Sequence, residues 1–238
     1  MYFEAGGIYH IYNQGNNRQR IYYSRENYLF FIRKIRTHIL PFADILAWCL
    51  MPNHFHLMVE VRVAEMESPF STTSEGFTPS ETLTGPETLT SPETLTGPDA
   101  SSETIISREG ESIRKPATMV TLNQSIGILL RSYTRAINIQ EKRTGSLFRK
   151  NTKAICVNEI NGIISDWYSS FGVTIMKVYV PEYQYPQVCF NYIHSNPVKA
   201  GLVAKAEDWE FSSCIDLVGM RDGTLVNQER VDKLGLIY

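Results

Sequence analysis

The chain has 238 residues, long enough for one large domain or two small ones, and 43% of them are hydrophobic, which allows a sizeable core. No apolar run approaches the roughly 18 residues that a membrane span needs, and the N-terminus lacks the regions of a secretion signal. We therefore expect a cytoplasmic protein without a membrane partner. The four cysteines are scattered without a C-x-x-C pair, which is typical of reduced, buried thiols.

The net charge of −2 hides an uneven distribution along the chain. Residues 64–112 contain ten acidic residues and one basic residue, Arg108. The rest of the chain holds 22 basic residues against 15 acidic ones, a net charge of +7. This balance is typical of a protein that binds nucleic acid.

The first 63 residues predict three strands and one helix. The strands are rich in β-formers and bounded by turn residues, and they span residues 7–13, 43–51 and 54–61. The helix begins after Ser24, a suitable N-cap, and ends before Pro41. Pro52 and Asn53 make a tight turn between the second and third strands.

Residues 64–116 form an acidic insertion of low complexity. The unit Glu-Thr-Leu-Thr-Gly/Ser-Pro occurs three times in tandem, at residues 81–86, 87–92 and 93–98. Proline in every unit opposes helix and ladder pairing, and one leucine in six residues cannot build a core. We expect a disordered insertion that acts as a flexible spacer or as a tether for a partner. It interrupts a single folded domain, residues 1–63 and 117–218, and residues 219–238 are interpreted as a C-terminal tail.

The chain after the insertion predicts three helices and one strand. The elements span residues 122–139 (helix), 153–157 (strand), 158–170 (a short helix) and 186–196 (helix). Pro186 suits the first turn of the last helix, and Pro197 marks its end. Strands around helices, together with an antiparallel hairpin, indicate the α+β class.

His54 and His56 occupy alternate positions of the third predicted strand. Such residues point to the same face, about 6.5–7 Å apart along the chain, so the two imidazoles can converge on one metal ion. Phe55 between them should point into a core on the opposite face. The alternative is a pair of structural or partly exposed histidines. We interpret His10 and His38 as structural or surface residues.

Tyr192 and Asn196 are four residues apart on the last predicted helix and share one face. A tyrosine beside a metal-held phosphate is a credible nucleophile, and an amide oxygen can complete the coordination shell of Mg²⁺ or Mn²⁺. His194 lies about 200° round the helix from Tyr192, so it should face elsewhere. The alternatives are that Tyr192 is a core residue and that Asn196 merely ends the helix before Pro197.

Five sequence blocks support a family resemblance. They are YHIYNQGNNR at 9–18, MPNHFH at 51–56, GSLFR at 145–149, YIHSNPVKAG at 192–201 and DWEFSS at 208–213. In these blocks and their order the chain resembles the single-tyrosine HUH transposases, most closely the REP-associated tyrosine transposases. The resemblance implies a ferredoxin-like antiparallel sheet with packed helices. It also implies that His54, His56 and Asn196 bind Mg²⁺ or Mn²⁺ and that Tyr192 is the nucleophile.

The implied reaction is transesterification of single-stranded DNA carrying palindromic hairpins, through a 5′-phosphotyrosine intermediate. Contacts to DNA phosphates are expected from Arg131, Arg135, Arg149, Lys150 and Lys153. The alternative, and the more common case for such a group of Arg and Lys residues, is a solvent-exposed helix face that binds nothing. Tyr12, Tyr133 and Phe148 are candidates for stacking on unpaired bases.

Three other functions stay open. They are a domesticated DNA-binding protein that does not cleave, a metal-dependent phosphodiesterase that uses water, and a replication initiator with the same nicking chemistry. The family resemblance covers both monomers and homodimers, so a homodimer also stays open.

Overall fold

The structure, a computed structural model, describes residues 1–67, 119–158, 165–170, 173–178 and 181–238. The chain divides into two units, Met1–Met66 with Val120–Tyr238, and Glu67–Met119. The predicted disordered insertion at 64–116 therefore lies almost wholly outside the described residues. In the described part of the chain, no helix is long and apolar enough to cross a membrane.

The described residues form strands and helices in the following order. The elements are β1 (Ile8–Gln14), α1 (Arg25–His38), β2 (Ala43–Met51), β3 (His54–Val61), β4 (Glu65–Glu67), β5 (Met119–Thr121), α2 (Leu122–Gln140), β6 (Lys153–Cys156), β7 (Ser165–Ser170), β8 (Val173–Val178), α3 (Pro181–Lys199), α4 (Cys214–Leu217) and α5 (Gln228–Lys233). Short 3₁₀ turns occur at Asn16–Arg18 and Ala206–Asp208.

The main sheet has four antiparallel strands in the order β2-β3-β1-β6. Helix α1 connects β1 to β2, and α2 lies between β3 and β6 in sequence. This β-α-β-β-α-β order is that of a ferredoxin-like fold. The predicted α+β class and ferredoxin-like sheet are therefore confirmed. Two further pairs, β4 with β5 and β7 with β8, form two-stranded sheets.

The element predictions are accurate before the insertion and weaker near α3. Strands β2 and β3 have the predicted bounds, and Ser24 caps α1 in a capping box with Asn27. The predicted helix at 158–170 is wrong at Ser165–Ser170, which pairs with β8 as a strand, while residues 159–164 lie outside the described chain. The predicted bounds of the last helix, 186–196, are wrong: α3 begins at Pro181 and ends at Lys199, with Pro186 and Pro197 inside it.

One face of the main sheet packs against α1 and α2. Both helices bury a stripe of apolar residues, including Phe31 and Ile35 of α1 and Tyr133 of α2. Phe31 packs edge-on to Tyr133 at a centroid separation of 4.9 Å. This face forms the larger core of the protein.

The other face packs against α3 and the C-terminal segment. Phe190 and Ile193 of α3 are fully buried in a smaller core, which also contains Val231 and Leu236. Ser212 and Val226 bridge to β2, so the C-terminal segment covers this edge of the sheet. Residues 219–238, interpreted from sequence as a tail, thus contribute to the first unit.

Candidate active site

The alternation of side chains along β3 separates a core face from a histidine face. Phe55 and Leu57 are buried in the larger core, as predicted for Phe55. His54 and His56 lie on the α3 side of the sheet, where their ring centroids are 5.0 Å apart. His56 is only 5% exposed, whereas His54 is half-buried. The strand therefore brings the two predicted ligands together.

Strand β1 adds the rings of His10 and Tyr12 to the site, a pairing with the histidines of β3 that the sequence did not predict. Tyr12 is the cross-strand neighbour of His56, and cross-strand neighbours share a face. His10, two residues earlier, contacts His56 directly: its Nε2 lies 2.9 Å from Nδ1 of His56. His10 is therefore part of the site rather than a residue apart from it. The alternation His10-Ile11-Tyr12 was visible in the sequence, but the register of β1 on β3 was not.

Helix α3 presents Tyr192 to the histidines. Phe190 and Ile193 anchor the helix in the smaller core, which leaves Tyr192 on the adjacent face with 40% of its surface exposed. Its ring stands edge-on to His56 at 5.4 Å and to His10 at 6.0 Å, measured between centroids. More than a hundred residues separate Tyr192 from these histidines along the chain.

Two other residues of the helix differ in direction, and that of His194 is as predicted. His194 points away into the smaller core, where its Nε2 lies 2.7 Å from Oγ of Ser213. Lys199 instead approaches Tyr192, with Nζ 5.2 Å from the ring centroid. The ammonium group places a positive charge next to the exposed tyrosine.

A cleft of about 320 Å³ opens between β1, β6 and α3. The residues lining it are His10, Tyr12, His56, Ile155, Tyr185, Val188, Cys189 and Tyr192. The cleft is accessible from solvent on the side of Tyr192 and is enclosed by the sheet on the side of His56.

Burial keeps the imidazoles of the site neutral at pH 7. Desolvation, together with the neighbouring His10 and His54, lowers the pKa of His56 to about 2. Desolvation also lowers the pKa of His10 to about 4 and moves that of His54 below its ordinary value. Neutral imidazole is the form that binds a metal ion.

The ring nitrogens of the two predicted ligands are suited to a metal ion. Nε2 of His56 is buried and has no hydrogen-bond partner among the described residues. Nδ1 of His54 donates to Oδ1 of Asn53 at 2.6 Å, which leaves its Nε2 as the unprotonated nitrogen. Nε2 of His56 and Nε2 of His54 are therefore chemically suitable as a pair of metal ligands.

Asn196 lies on α3 and bonds to its own helix. Its Nδ2 donates to the carbonyl oxygen of Tyr192 at 2.8 Å, so the amide is held along its own helix with Oδ1 left for another partner. Among the described residues, no group of three or more His, Cys, Asp and Glu side chains is arranged to hold a metal ion. The third predicted ligand therefore stays a prediction.

The five basic residues predicted to contact DNA fall on two sides of the sheet. Lys153 is the cross-strand neighbour of Tyr12, on the histidine face, and the backbone N–H of Arg149 donates to Gln14 at the end of β1. Lys150 is exposed in the same connection. Arg131 and Arg135 are exposed on α2, which packs against the opposite face. The structure does not bring these two sets together.

Two of the three predicted base-stacking residues are unsuitable. Tyr133 has no exposed surface and donates its hydroxyl to the carbonyl oxygen of Ile21, and Phe148 is 4% exposed in the larger core. Both predictions are wrong because these rings lie on the core side of their elements. Tyr12, which lines the cleft, keeps the position that stacking would require.

A comparison with known proteins finds similarity to a solved structure. No protein-family model matches the chain, and no curated protein matches it. Among solved structures, the chain is similar to a REP-associated tyrosine transposase bound to a REP hairpin. The match covers 92% of this chain and 83% of that one, with a TM-score of 0.45 and 15% sequence identity.

Proposed function

We propose that the protein is a metal-dependent strand transferase for single-stranded DNA, with Tyr192 as the nucleophile. The observation that carries the proposal is the packing of the exposed Tyr192 ring against His56 and His10. A tyrosine from a distant helix and histidines from two neighbouring strands form a single cluster. Tyrosine is one of the side chains that can form a covalent intermediate, and here it lies beside groups that can bind a metal ion.

The proposed first step exchanges one phosphoester bond for another. Oη of Tyr192 attacks a phosphorus of the DNA backbone, the P–O3′ bond breaks, and the 3′ oxygen leaves as a hydroxyl with the proton from the phenol. The product is a 5′-phosphotyrosine link. In the second step a 3′-hydroxyl of another strand end attacks this link, and Tyr192 recovers its proton. Bond energy is conserved, so no nucleotide cofactor is needed.

His54 and His56 are the proposed ligands of Mg²⁺ or Mn²⁺, with Asn196 as a third. The orphaned Nε2 of His56 and the Nδ1 contact of His54 with Asn53 support the first two assignments. When bound, such an ion supplies Lewis-acid stabilisation of the charge on the phosphate oxygens. Lys199, next to the ring of Tyr192, is suited to stabilise negative charge that develops on the phenol oxygen.

The proposed DNA path follows the histidine face. Lys153 is the cross-strand neighbour of Tyr12, and the exposed Arg149 and Lys150 precede β6, so these three residues are the proposed contacts to the DNA phosphates. Tyr12 is suited to stack on an unpaired base. The motif blocks, rather than the cleft, suggest hairpin-containing DNA as the substrate.

The proposal is tested by incubating the protein with single-stranded hairpin DNA and Mn²⁺, then resolving the products on a denaturing gel. We expect a protein–DNA adduct in the wild type and none in Tyr192→Phe. The matched control is Tyr2→Phe, because Tyr2 is 80% exposed and precedes β1. That variant should form the adduct as the wild type does.

The products also separate the other functions. Cleaved DNA without an adduct would identify a phosphodiesterase that uses water. Hairpin binding without cleavage would identify a DNA-binding protein that has lost the reaction. An adduct that survives Tyr192→Phe would exclude this tyrosine as the nucleophile.

A further inference from the structure

We propose that Asn53 and His10 are positioning residues that set the protons of His54 and His56, so that both Nε2 atoms present a lone pair to the same ion. The inference rests on the proposed function, in which these two histidines bind a divalent metal ion. It assigns a role to two neighbours that the sequence motifs leave without one.

The chemistry of imidazole makes such neighbours necessary. A neutral imidazole carries one proton, on Nδ1 or on Nε2, and only the unprotonated nitrogen can bind a metal ion. Metal-binding histidines almost always donate the other N–H to an acceptor, which fixes both the tautomer and the ring orientation. A pair of ligands on one strand therefore needs two acceptors, one for each Nδ1.

Asn53 is the acceptor for His54. Its Oδ1, a carbonyl oxygen that can only accept, lies 2.6 Å from Nδ1 of His54. Its amide nitrogen donates to the carbonyl oxygen of Arg18 at 3.2 Å, which fixes which end of the amide faces the histidine. The proton of His54 is thereby held on Nδ1, and Nε2 is bare.

The loop after β1 holds Asn53 in place. Asn17 and Arg18 have φ values of 51° and 58°, the left-handed region that non-glycine residues rarely adopt. This conformation directs the carbonyl group of Arg18 at the side chain of Asn53, while the N–H of Gly15 donates to the backbone oxygen of Asn53 at 2.8 Å. The loop after β1 and the β2–β3 turn are thus connected by hydrogen bonds to Asn53, which hold its side chain in place beside His54.

His10 is the acceptor for His56. The 2.9 Å contact between Nε2 of His10 and Nδ1 of His56 contains one proton. If His10 donated it, His56 would carry its own proton on Nε2, a buried N–H without a partner, which is destabilising and blocks metal binding. If His56 donates it, the buried Nε2 is a lone pair ready for an ion. Only the second arrangement lets the unpaired Nε2 of His56 bind a metal ion.

The test uses the full chain carrying Tyr192→Phe, so that no DNA chemistry intervenes. Long-range ¹H–¹⁵N correlation spectra of ¹⁵N-histidine protein without metal report which ring nitrogen carries the proton. Titration with Mn²⁺ alone, followed by the electron paramagnetic resonance of the free ion, reports affinity. Two pairs of substitutions distinguish the loss of the hydrogen-bond acceptor from a change in side-chain size. They are His10→Phe compared with His10→Gln, and Asn53→Ala compared with Asn53→Asp.

We expect His54 and His56 to be protonated on Nδ1 and bare on Nε2. His10→Phe should move the proton of His56 to Nε2 and weaken Mn²⁺ binding about 10–100-fold, as is typical of lost outer-shell partners. His10→Gln, whose side-chain oxygen can accept near the same point, should restore most of the affinity. Asn53→Ala should weaken binding likewise, and Asn53→Asp should retain it.

The failures are distinguishable. Mn²⁺ binding that is equal in His10→Phe, His10→Gln and the parent overturns the role of His10. A parent spectrum with His56 protonated on Nε2 does the same. No Mn²⁺ binding by the parent overturns the metal part of the proposed function together with this inference. If the protein with Tyr192 intact forms no DNA adduct while the tautomers and affinities are as expected, the strand-transfer reaction alone is overturned.

Discussion

The two faces of the main sheet have the same strands but different contents. On the side of α1 and α2, the larger core contains the aromatic rings of Phe31, Phe55 and Tyr133. Each of these side chains is at most 2% exposed. On the α3 side, the same strands present His10 and His56 to a partly open cleft beside a smaller core. A strand with alternating side chains thus supports stability with one face and leaves the other for chemistry.

This difference explains how β3 can be both buried and functional. Phe55 and His56 are adjacent and nearly equally buried, at 2% and 5% exposed. Burial of Phe55 stabilises the fold, because a large apolar ring leaves water. Burial of His56 has a cost, because a polar nitrogen is left without a partner. The two faces should therefore respond in opposite ways to substitution.

The largest expected effect on stability belongs to the core face. Phe55→Ala should lower the free energy of unfolding by about 3–5 kcal/mol, because it removes a large ring and leaves a cavity. Urea denaturation measures the change. His54→Ala, on the half-buried side of the same strand, is the matched control and should cost less than about 1 kcal/mol. Equal losses would remove the distinction between the two faces.

The converse substitution on the histidine face should affect binding rather than folding. His56→Leu should abolish Mn²⁺ binding, while the free energy of unfolding stays within about 1 kcal/mol of the wild type, because removal of the orphaned nitrogen offsets the lost hydrogen bond to His10, whose ring lines the open cleft. Calorimetric titration and urea denaturation give the two quantities. A large loss of stability with intact Mn²⁺ binding would make His56 a structural residue.

Acid should destabilise the histidine face through His10. Its pKa is lowered from 6.5 to about 4 in the folded protein by desolvation. Between these two values the unfolded chain binds more protons than the folded one, so stability falls as the pH drops. The contribution approaches about 1.4 kcal/mol per pH unit within that window.

The control for this pH effect is His10→Gln, which lacks the titrating ring. Urea midpoints at pH 7 and pH 5 should differ less in this variant than in the wild type. The same difference in both proteins would assign the pH dependence to other groups.

The smallest expected effect concerns the DNA path. Lys153→Ala should reduce the salt dependence of single-stranded DNA binding, lowering the slope of log K against log salt by about 0.7, the value for one phosphate contact. Arg131→Ala, on the outer side of α2, should leave the slope unchanged. Fluorescence anisotropy over a range of salt concentrations measures both. Equal slopes in the two variants would mean that DNA does not distinguish the faces.

The sequence predicts the local part of this arrangement well. Strands β2 and β3 have the expected bounds, and the alternation of Phe55 between the two histidines sends each ring to the expected side. Helical spacing also separates Tyr192 from His194 correctly. These features depend on the period of a single strand or helix, which a sequence shows directly.

The parts that the sequence does not predict depend on pairing between distant segments. The contact of His10 with His56 requires the register of β1 on β3, which no local pattern specifies. The burial of Tyr133 and Phe148 requires knowledge of which surface the sheet covers. Ser165–Ser170 forms a strand because β8 lies beside it, and its own residues leave helix and strand open.

The proposed function depends above all on Tyr192 as the residue that becomes joined to the DNA. The most direct measurement is mass spectrometry of the peptide that carries the covalent nucleotide after incubation with hairpin DNA and Mn²⁺, followed by digestion of protein and DNA. We expect a 5′-phosphonucleotide attached to the peptide that contains Tyr192. Attachment to any other residue, or cleaved DNA with no modified peptide, would contradict it.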